Sequence, residues 1–317
     1  MTVFGYTLSS EEHGPADLVR YAVEAEDAGF SFLSASDHFH PWVGKQGHSP
    51  FVWSVLGAVA SSTSTIDLAV GVTCPIVRIH PAIIAQAAAT TSVLSEGRFT
   101  LGLGTGEALN EHVTGESWPP APVRLDMLRE AVVIIRRLLT GETVDHHGTH
   151  FTVENARLFD APDEGPAIIL SAFGTNAAKM AGHLGDGVWG TAADAATVET
   201  FRDAGGSGPR YTQITVCWDS DQERARRTMQ EQWPNGAMPG QLSQDLPTWV
   251  HFEQLAELAR SGSDPTSVPC GPDPEPFVEA ARAAEKAGFD HIYFHQVGAD
   301  QPGFLKFWQN ELGAALT

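Results

Sequence analysis

Apolar runs alternate with amphipathic stretches along almost the whole chain. Residues 3–8 form a short apolar run typical of a buried strand, and residues 14–28 then place Leu18, Tyr21 and Ala25 on one face of a helix. The same order, a strand followed by a helix, recurs up to the C-terminal end. This alternation favours an α/β fold built on a parallel sheet.

The predicted elements are bounded mainly by glycine, proline and polar residues. The predicted strands are short apolar runs at residues 3–8, 30–35, 66–73, 98–103, 167–171, 186–189, 211–218 and 291–294. The predicted helices cover residues 14–28, 51–61, 81–95, 122–139, 176–184, 195–204, 221–232, 248–260, 274–287 and 302–316. Two stretches depart from the alternation. Residues 143–159 alternate polar and apolar positions around Gly148, which predicts a hairpin, and residues 233–246 are rich in proline and glycine, which predicts a loop.

A weak internal repeat supports a cyclic arrangement of these elements. Residues 25–30 (Ala-Glu-Asp-Ala-Gly-Phe) recur as residues 284–289 (Ala-Glu-Lys-Ala-Gly-Phe), and a similar helix–glycine–strand joint occupies residues 182–188. With eight predicted strands, these joints favour a (β/α)8 TIM barrel over a doubly wound sheet, whose glycine-rich turn would follow the first strand. We expect a single barrel domain over residues 1–317, with insertions around residues 37–50, 141–162 and 233–270.

The charge and the cysteines of the chain exclude several classes of function. A formal net charge of -20 at pH 7 argues against a surface for nucleic acid or for an anionic membrane. No apolar run approaches the ~18 residues of a membrane-spanning helix. Cys74, Cys217 and Cys270 are scattered, so neither a disulfide framework nor a zinc ribbon is predicted. We expect a cytoplasmic protein that acts on a small molecule.

Two polar stretches follow predicted strands and would share one rim of the barrel, where such barrels keep their chemistry. Residues 36–42 (Ser-Asp-His-Phe-His-Pro-Trp) follow the second strand, and residues 102–111 end the fourth. His38 is a candidate general base near neutral pH, with Asp37 beside it. Trp42 is a candidate flat wall of the same pocket.

These polar residues also have alternative interpretations. Asp37 is typical of a turn cap, and Glu107 is typical of the first turn of a helix, where the helix dipole favours an acid. His38 and His40 together resemble the HxH metal motif of amidohydrolases, but further ligands are hard to name at the later strand ends.

Three backbone positions could receive a ligand. Gly71 either ends the third strand or marks a strained backbone beneath a flat ring. Gly104 and Gly106 would let the backbone approach a ligand closely. Residues 171–176 end the fifth strand and open a helix, so their free N–H groups suit an anion.

These motifs resemble those of the deazaflavin (coenzyme F420)-dependent oxidoreductases of the luciferase-like superfamily. The similarity extends over essentially the whole chain and is most specific at residues 36–42, 81–86 (Pro-Ala-Ile-Ile-Ala-Gln) and 104–111 (Gly-Thr-Gly-Glu-Ala-Leu-Asn-Glu). The most similar branch is that of the F420-dependent glucose-6-phosphate dehydrogenases. The resemblance implies a (β/α)8 barrel with insertions, F420 as coenzyme and assembly as a homodimer.

The resemblance also implies roles for individual residues. His38 would accept the hydroxyl proton while a hydride passes from the substrate carbon to C5 of the deazaflavin. Glu107 would handle the proton at N1 of the reduced ring, and Trp42 would pack over the reacting centre. The family's non-prolyl cis peptide bond corresponds to Gly71–Val72. The coenzyme-binding positions are matched by Asp37, Gly71, Val72, Cys74, Thr105, Gly106, Asn110, Phe173, Gly174, Asn176 and Ala177.

The sequence departs from the sugar-phosphate dehydrogenases where these bind the substrate phosphate. Thr191 keeps the family threonine and would contact substrate, but a lysine position holds Asp194 and an arginine position falls near Ser267. Because an aspartate repels a phosphate dianion, we expect a neutral alcohol, a ketone or another reducible molecule as substrate rather than glucose 6-phosphate. The residues that could line an apolar mouth are Trp233, Met238 and Trp249.

Three other functions stay open at this point. An FMN-dependent luciferase-like enzyme would react with oxygen, whereas a deazaflavin passes hydrides without activating oxygen. A metal-dependent hydrolase would contain stoichiometric zinc. A non-catalytic coenzyme carrier would bind F420 and tolerate the loss of His38 and Glu107.

Overall fold

In the part of the chain that the structure describes, eight parallel strands close into a barrel. This computed structural model describes residues 2–237, 242–260 and 268–316. The strands are β1 (Val3–Leu8), β2 (Phe32–Ala35), β3 (Asp67–Thr73), β4 (Phe99–Leu103), β5 (Val144–His147), β6 (Thr152–Ala156), β7 (Ile168–Ser171), β8 (Gly187–Gly190), β9 (Arg210–Val216) and β10 (His291–Gln296). Around the barrel the order is β1-β2-β3-β4-β7-β8-β9-β10, and β10 pairs back with β1. The barrel prediction is confirmed, and the doubly wound alternative is wrong.

Helices connect the barrel strands and cover their outer faces. They are α1 (Pro15–Asp27), α2 (Val52–Ser62), α3 (Pro81–Leu94), α4 (Ala108–Glu111), α5 (Ala121–Leu139), α6 (Thr175–Leu184), α7 (Ala195–Asp203), α8 (Gln222–Gln232), α9 (Leu242–Asp245), α10 (Trp249–Arg260), α11 (Glu275–Lys286), α12 (Gln301–Phe307) and α13 (Gly313–Leu316). Among the described residues, no helix is long and apolar enough to cross a bilayer. The main core lies between the strands and these helices, where Leu33, Leu68, Leu101, Ile168, Ile292 and Phe294 are buried.

Two predicted stretches differ from the structure in detail. Residues 233–246, predicted as a loop, contain a 3-10 turn at Pro234–Ala237 and the short helix α9. Proline favours the first position of a helical turn, which accounts for the 3-10 turn. The last helix, predicted to be continuous, passes through a π-helical turn at Trp308–Leu312. At the start of that turn Trp308 stacks on Phe30, with 4.1 Å between ring centroids. The predicted hairpin is present as β5 and β6.

The internal repeat marks two equivalent joints between a helix and a strand. Gly29 and Gly288 both adopt left-handed backbone conformations, with φ of 85° and 100°. Glycine takes this conformation without a steric penalty, which is why each helix can stop there and turn into a strand. The third joint is different, because Gly185 has an extended backbone with φ of -85°.

Alternate strand side chains point into the barrel and form two zones of different chemistry. The lower zone is an aromatic plug made of Phe32, Trp189, Tyr211 and Tyr293. Trp189 stacks on Tyr211 with 4.4 Å between ring centroids, and its Nε1 donates to the Tyr293 hydroxyl at 2.7 Å. The upper zone lines a cavity with small polar groups: Thr7, Ser34, Ser36, Thr73, Ser171, Thr191, Thr215 and His295.

Glu26 ties α1 to the segment that enters β3. Its Oε1 accepts backbone hydrogen bonds from Ser64 (2.9 Å), Thr65 (2.6 Å) and Ile66 (2.9 Å). Partial burial alone would raise the pKa of Glu26, but these donors outweigh it and lower the pKa to about 2. The ionised carboxylate therefore stabilises the folded state.

We predict that Glu26→Gln lowers the free energy of unfolding by about 1 kcal/mol at pH 7, a value that allows for solvent screening of this half-buried group. The difference from the wild type should disappear as the pH falls from about 4.5 to about 2, because the carboxyl of the unfolded chain takes up its proton first. Urea unfolding at pH 7 and at low pH measures both effects. Glu285→Gln, at the equivalent and exposed position of the repeat, is the matched control. Equal losses in the two variants would contradict this role.

Candidate functional site

A cavity of about 300 Å³ opens at the C-terminal ends of the barrel strands. The strand ends form its floor, and the loop after β2 and the turn after β4 form two of its sides. The segment between β9 and β10 covers it with Trp233, Gly236, Ser243, Gln244 and Phe252. The cavity thus lies on the rim that the sequence predicted.

His38 lies in the wall of this cavity beside a carboxylate. Its Nδ1 is 3.3 Å from Oε1 of Glu11, and both side chains are buried. Ser36 donates to the same carboxylate oxygen at 2.6 Å, which fixes its position. Trp42 meets the imidazole edge to face, with 4.9 Å between ring centroids. Sequence reasoning missed Glu11, although an acidic pair, Glu11-Glu12, soon after the first strand was a signal.

Asn110 clamps the loop that carries His38. Its Oδ1 accepts hydrogen bonds from the backbone of Phe39 (2.9 Å) and His40 (3.2 Å), and its Nδ2 donates to Glu107 at 3.3 Å. His40 in turn contacts the carbonyl oxygen of Leu109 through Nδ1 at 3.0 Å. Asn110 is buried and does not line this cavity, so its contacts indicate a positioning role for a residue that the resemblance assigned to the coenzyme.

A buried cation joins the two predicted polar stretches. Arg78 lies 2.8 Å from Oδ1 of Asp37 and 3.3 Å from Oε1 of Glu111, while Thr73 donates to Asp37 at 2.5 Å. Burial raises the pKa of Glu111 to about 7, although Arg78 acts in the opposite direction. Because buried carboxylates are costly without a partner, Arg78 allows two acids to lie at the rim. No specific pattern in the sequence pointed to this arginine.

Glycine is required at two points of the cavity wall. The peptide bond between Gly71 and Val72 is cis, as the resemblance implied. A Cβ at Gly71 would lie 2.3 Å from Cζ2 of Trp189. Gly106 has a left-handed backbone with φ of 67°, and a Cβ there would lie 2.5 Å from Sγ of Cys74. Glycine at these two positions therefore lets Trp189 and Cys74 pack directly against the backbone of the wall.

A second cavity of about 890 Å³ adjoins the first at the N-terminal end of α6. Phe173 and Ser171 line both cavities. The first turn of α6 has no side-chain cap, so its N–H groups are available to an anion. Arg129 and Lys179 line the same cavity and add positive charge. The two cavities together suit an elongated ligand with a flat ring and an anionic tail.

Comparison with known proteins identifies the family. The model described as luciferase-like monooxygenase matches residues 1–261. The chain belongs to the luciferase-like family. The F420-dependent glucose-6-phosphate dehydrogenase of Beutenbergia cavernae is 34% identical, with 98% of this chain and 96% of that protein covered. The protein of the same name from Nocardia farcinica is 35% identical, with 98% and 97% covered.

Solved structures agree with this family assignment. An F420-dependent secondary alcohol dehydrogenase in complex with an F420–acetone adduct superposes with a TM-score of 0.90 at 30% identity, covering 100% of this chain and 99% of that one. A coenzyme F420-dependent tetrahydromethanopterin reductase from Methanopyrus kandleri shares the fold, with a TM-score of 0.81 at 21% identity, over 100% and 99% of the two chains. The predicted resemblance to F420-dependent members of the luciferase-like family is confirmed.

The structure places most of the residues matched to the family at the two cavities. The residues that line the first cavity are Asp37, His38, Trp42, Gly71, Val72, Cys74, Gly106, Glu107, Phe173 and Thr191. Those that line the second are Thr105, Phe173, Gly174, Asn176 and Ala177. Asn110 lines neither. The role of each residue toward a coenzyme or substrate stays a prediction.

The covering segment differs from the prediction of an apolar mouth. Trp233 lines the first cavity as expected. Trp249, the first residue of α10, is 38% exposed, lies near Gly44 and does not line the first cavity. Phe252, one turn later, is fully buried and meets Trp42 edge to face at 5.2 Å. The other two positions singled out there, 238 and 267, lie outside the described residues.

The HxH motif does not bring its two rings to one point. His38 contacts Glu11, whereas His40 contacts the backbone of Leu109. In the part of the chain that the structure describes, no group of three or more His, Cys, Asp or Glu side chains could hold a metal ion.

We predict that His38→Ala keeps the affinity for F420 but lowers kcat by ~100-fold or more, the usual scale for loss of a general base. Fluorescence titration of the coenzyme and steady-state kinetics measure the two quantities separately. His147→Ala, on the exposed hairpin strand β5, is the control for loss of a histidine. Unchanged turnover in His38→Ala would remove this residue from the mechanism.

We predict a smaller effect, about 10-fold on kcat, for Glu11→Gln, because the imidazole then loses the charge that orients and supports it. The coenzyme dissociation constant should stay unchanged. Steady-state kinetics of Glu11→Gln, His38→Ala and the double variant form a cycle. If Glu11 acts through His38, the double variant is no slower than His38→Ala; multiplied losses would show that the two residues act independently.

Proposed function

We propose that this F420-dependent oxidoreductase transfers a hydride between C5 of the deazaflavin and a neutral alcohol or ketone. The observation that carries the proposal is the buried pair of His38 and Glu11 at 3.3 Å, in the wall of a cavity that Gly71 and Gly106 also line. The structural similarity to a secondary alcohol dehydrogenase that holds an F420–acetone adduct supports the same reaction class.

Each side chain of the first cavity has a separate role in the proposed hydride transfer, and its position supports that role. Nδ1 of His38 faces Glu11, which leaves Nε2 for the hydroxyl proton of the substrate. The carboxylate of Glu11 stabilises the imidazolium that forms. Trp42 and Phe252 pack against each other above this position and exclude water from it. Glu107 lines the wall beside Gly106 and would hold the proton at N1 of the ring. When bound, the deazaflavin supplies or accepts the hydride.

The charges around the first cavity support a neutral substrate. Among the described residues, no lysine or arginine lines this cavity, whereas Glu11 and Glu107 do. A phosphate dianion would therefore meet carboxylates without a cation to offset them.

Asp194, at the family's lysine position, has a structural role. It caps α7, where it accepts hydrogen bonds from the backbone of Ala196 (3.1 Å) and from the hydroxyl of Thr197 (2.7 Å). Thr191 does line the first cavity. Of the phosphate-binding positions that the resemblance implied, only Thr191 keeps the family residue, which supports the exclusion of glucose 6-phosphate.

Two further expectations stay predictions. On helix α3, Ile83, Val93 and Leu94 each have about half of their surface exposed to solvent. Phe51, just before α2, is exposed to the same extent. An exposed apolar face of this kind fits the homodimer that the family resemblance implies. A cytoplasmic location also stays a prediction.

We predict that purified enzyme with F420 oxidises neutral secondary alcohols and that kcat/KM for glucose 6-phosphate is lower by ~100-fold or more, since a site without a matching cation rejects the dianion. Reduction of the coenzyme, followed by its absorbance and fluorescence, measures both. Glucose and FMN serve as the matched controls for the phosphate and for the coenzyme. Glucose 6-phosphate as the best substrate, or oxygen consumption with FMN, would refute the proposal.

A further inference from the structure

Three neighbouring strands end in polar side chains on the same side of the first cavity. Thr215 and His295 are direct register partners on β9 and β10. Thr7 on β1 follows Tyr6, which pairs with Phe294, and so it lies next to His295. Gln213 points inward one layer below Thr215, and all four side chains line the cavity.

An internal hydrogen-bond chain orients these groups. Nε2 of His295 is 3.1 Å from Oγ of Ser9, which donates to Glu12 at 3.1 Å. Nε2 of His295 therefore carries the hydrogen, and Nδ1 is the acceptor at 3.4 Å from Nε2 of Gln213. The same amide nitrogen donates to the hydroxyl of Thr215 at 2.9 Å.

This series of hydrogen bonds leaves donors and acceptors unused at the cavity. Both amide hydrogens of Gln213 are committed, whereas its carbonyl oxygen has no hydrogen-bond partner among the described residues. The Thr215 hydroxyl accepts one bond and keeps its own hydrogen. Thr7 is only 7% exposed, and its hydroxyl has no partner at all in the part of the chain described. A buried hydroxyl without a partner is costly, so a ligand that supplies one would be favoured.

The position of the group in the barrel separates it from the wall that contains Gly71 and Gly106, called here the glycine wall. It belongs to β9, β10 and β1, whereas Gly71 and Gly106 belong to β3 and to the turn after β4. In the barrel order β10 lies opposite β4. The segment with His38 follows β2, between these two halves. A molecule between the glycine wall and the polar group would therefore reach His38.

We infer that Thr7, Gln213, Thr215 and His295 bind a second hydroxyl or carbonyl group of the substrate. The substrate is then an uncharged molecule with at least two oxygen functions, such as a diol or a hydroxyketone, rather than a simple monoalcohol. This inference rests on the proposed function for the first oxygen, which His38 would hold. The second oxygen is recognised by a donor from Thr215, an acceptor from Gln213 and the unpartnered hydroxyl of Thr7.

The test measures binding independently of turnover. Calorimetric titration of the enzyme loaded with reduced F420, which cannot accept a hydride from an alcohol, compares cyclohexanol with the matched 1,2-, 1,3- and 1,4-cyclohexanediols. We expect at least one diol to bind ~10-fold more tightly than cyclohexanol. Thr7→Val and Gln213→Leu should each weaken binding of that diol by ~5-fold or more and leave cyclohexanol unchanged. Thr212→Val is the control, because Thr212 is buried with an unpartnered hydroxyl but does not line the cavity.

The possible results are distinguishable. Equal affinity for cyclohexanol and all three diols would overturn the inference, even if cyclohexanol is oxidised and the proposed function stands. Weaker F420 binding in Thr7→Val would also overturn it, because the group would then serve the coenzyme. A diol preference that depends on Thr7 and Gln213, found without any hydride transfer, would support the subsite and refute the proposed function.

Discussion

The ion cluster of Arg78 with Asp37 and Glu111 is the constraint on which the rim of this barrel depends. It joins the loop after β2, the segment after β3 and the end of α4, three parts that lie beyond the paired ends of β2, β3 and β4. Removing the guanidinium would leave two buried carboxylates close together without a cation. The free-energy cost of that change is much larger than the net stabilisation that the intact cluster contributes. The cluster therefore acts mainly by fixing geometry: His38 follows directly after one of its acids, so its place in the wall depends on the cluster.

Along the barrel axis, the packed aromatic plug and the polar cavity occupy different levels of the interior. The aromatic plug below is closely packed and buried, and Trp189 stacks on Tyr211 within it. It supports a ring of small polar side chains at the strand ends, which leave space above them because they are short. The cis bond between Gly71 and Val72 lies at this boundary, with Trp189 directly against the glycine. The plug and the cavity thus share one wall, so a substitution in the plug would change the shape of the cavity.

The two cavities carry opposite charge, and this asymmetry has a functional meaning. The first is lined by carboxylates and by neutral polar groups, whereas the second has Arg129 and Lys179 near the uncapped start of α6. An anionic group is favoured only in the second. A coenzyme tail and a charged substrate would otherwise compete for the same cations, and here only one of them has cations to bind.

Local patterns in the sequence determined the strands, the helices, the hairpin and the two left-handed joints at Gly29 and Gly288, because periodicity and glycine conformation act within a few residues. The motif at residues 36–42 also located the rim and the family. Barrel closure decided which distant residues meet: it brought Glu11 to His38 and turned Phe252, not Trp249, toward Trp42. It also placed Asn110 where its side chain accepts a hydrogen bond from the backbone of Phe39 in the loop that carries His38. Such contacts join segments far apart in the chain, and their partners depend on register and on side-chain direction, which only the tertiary structure sets.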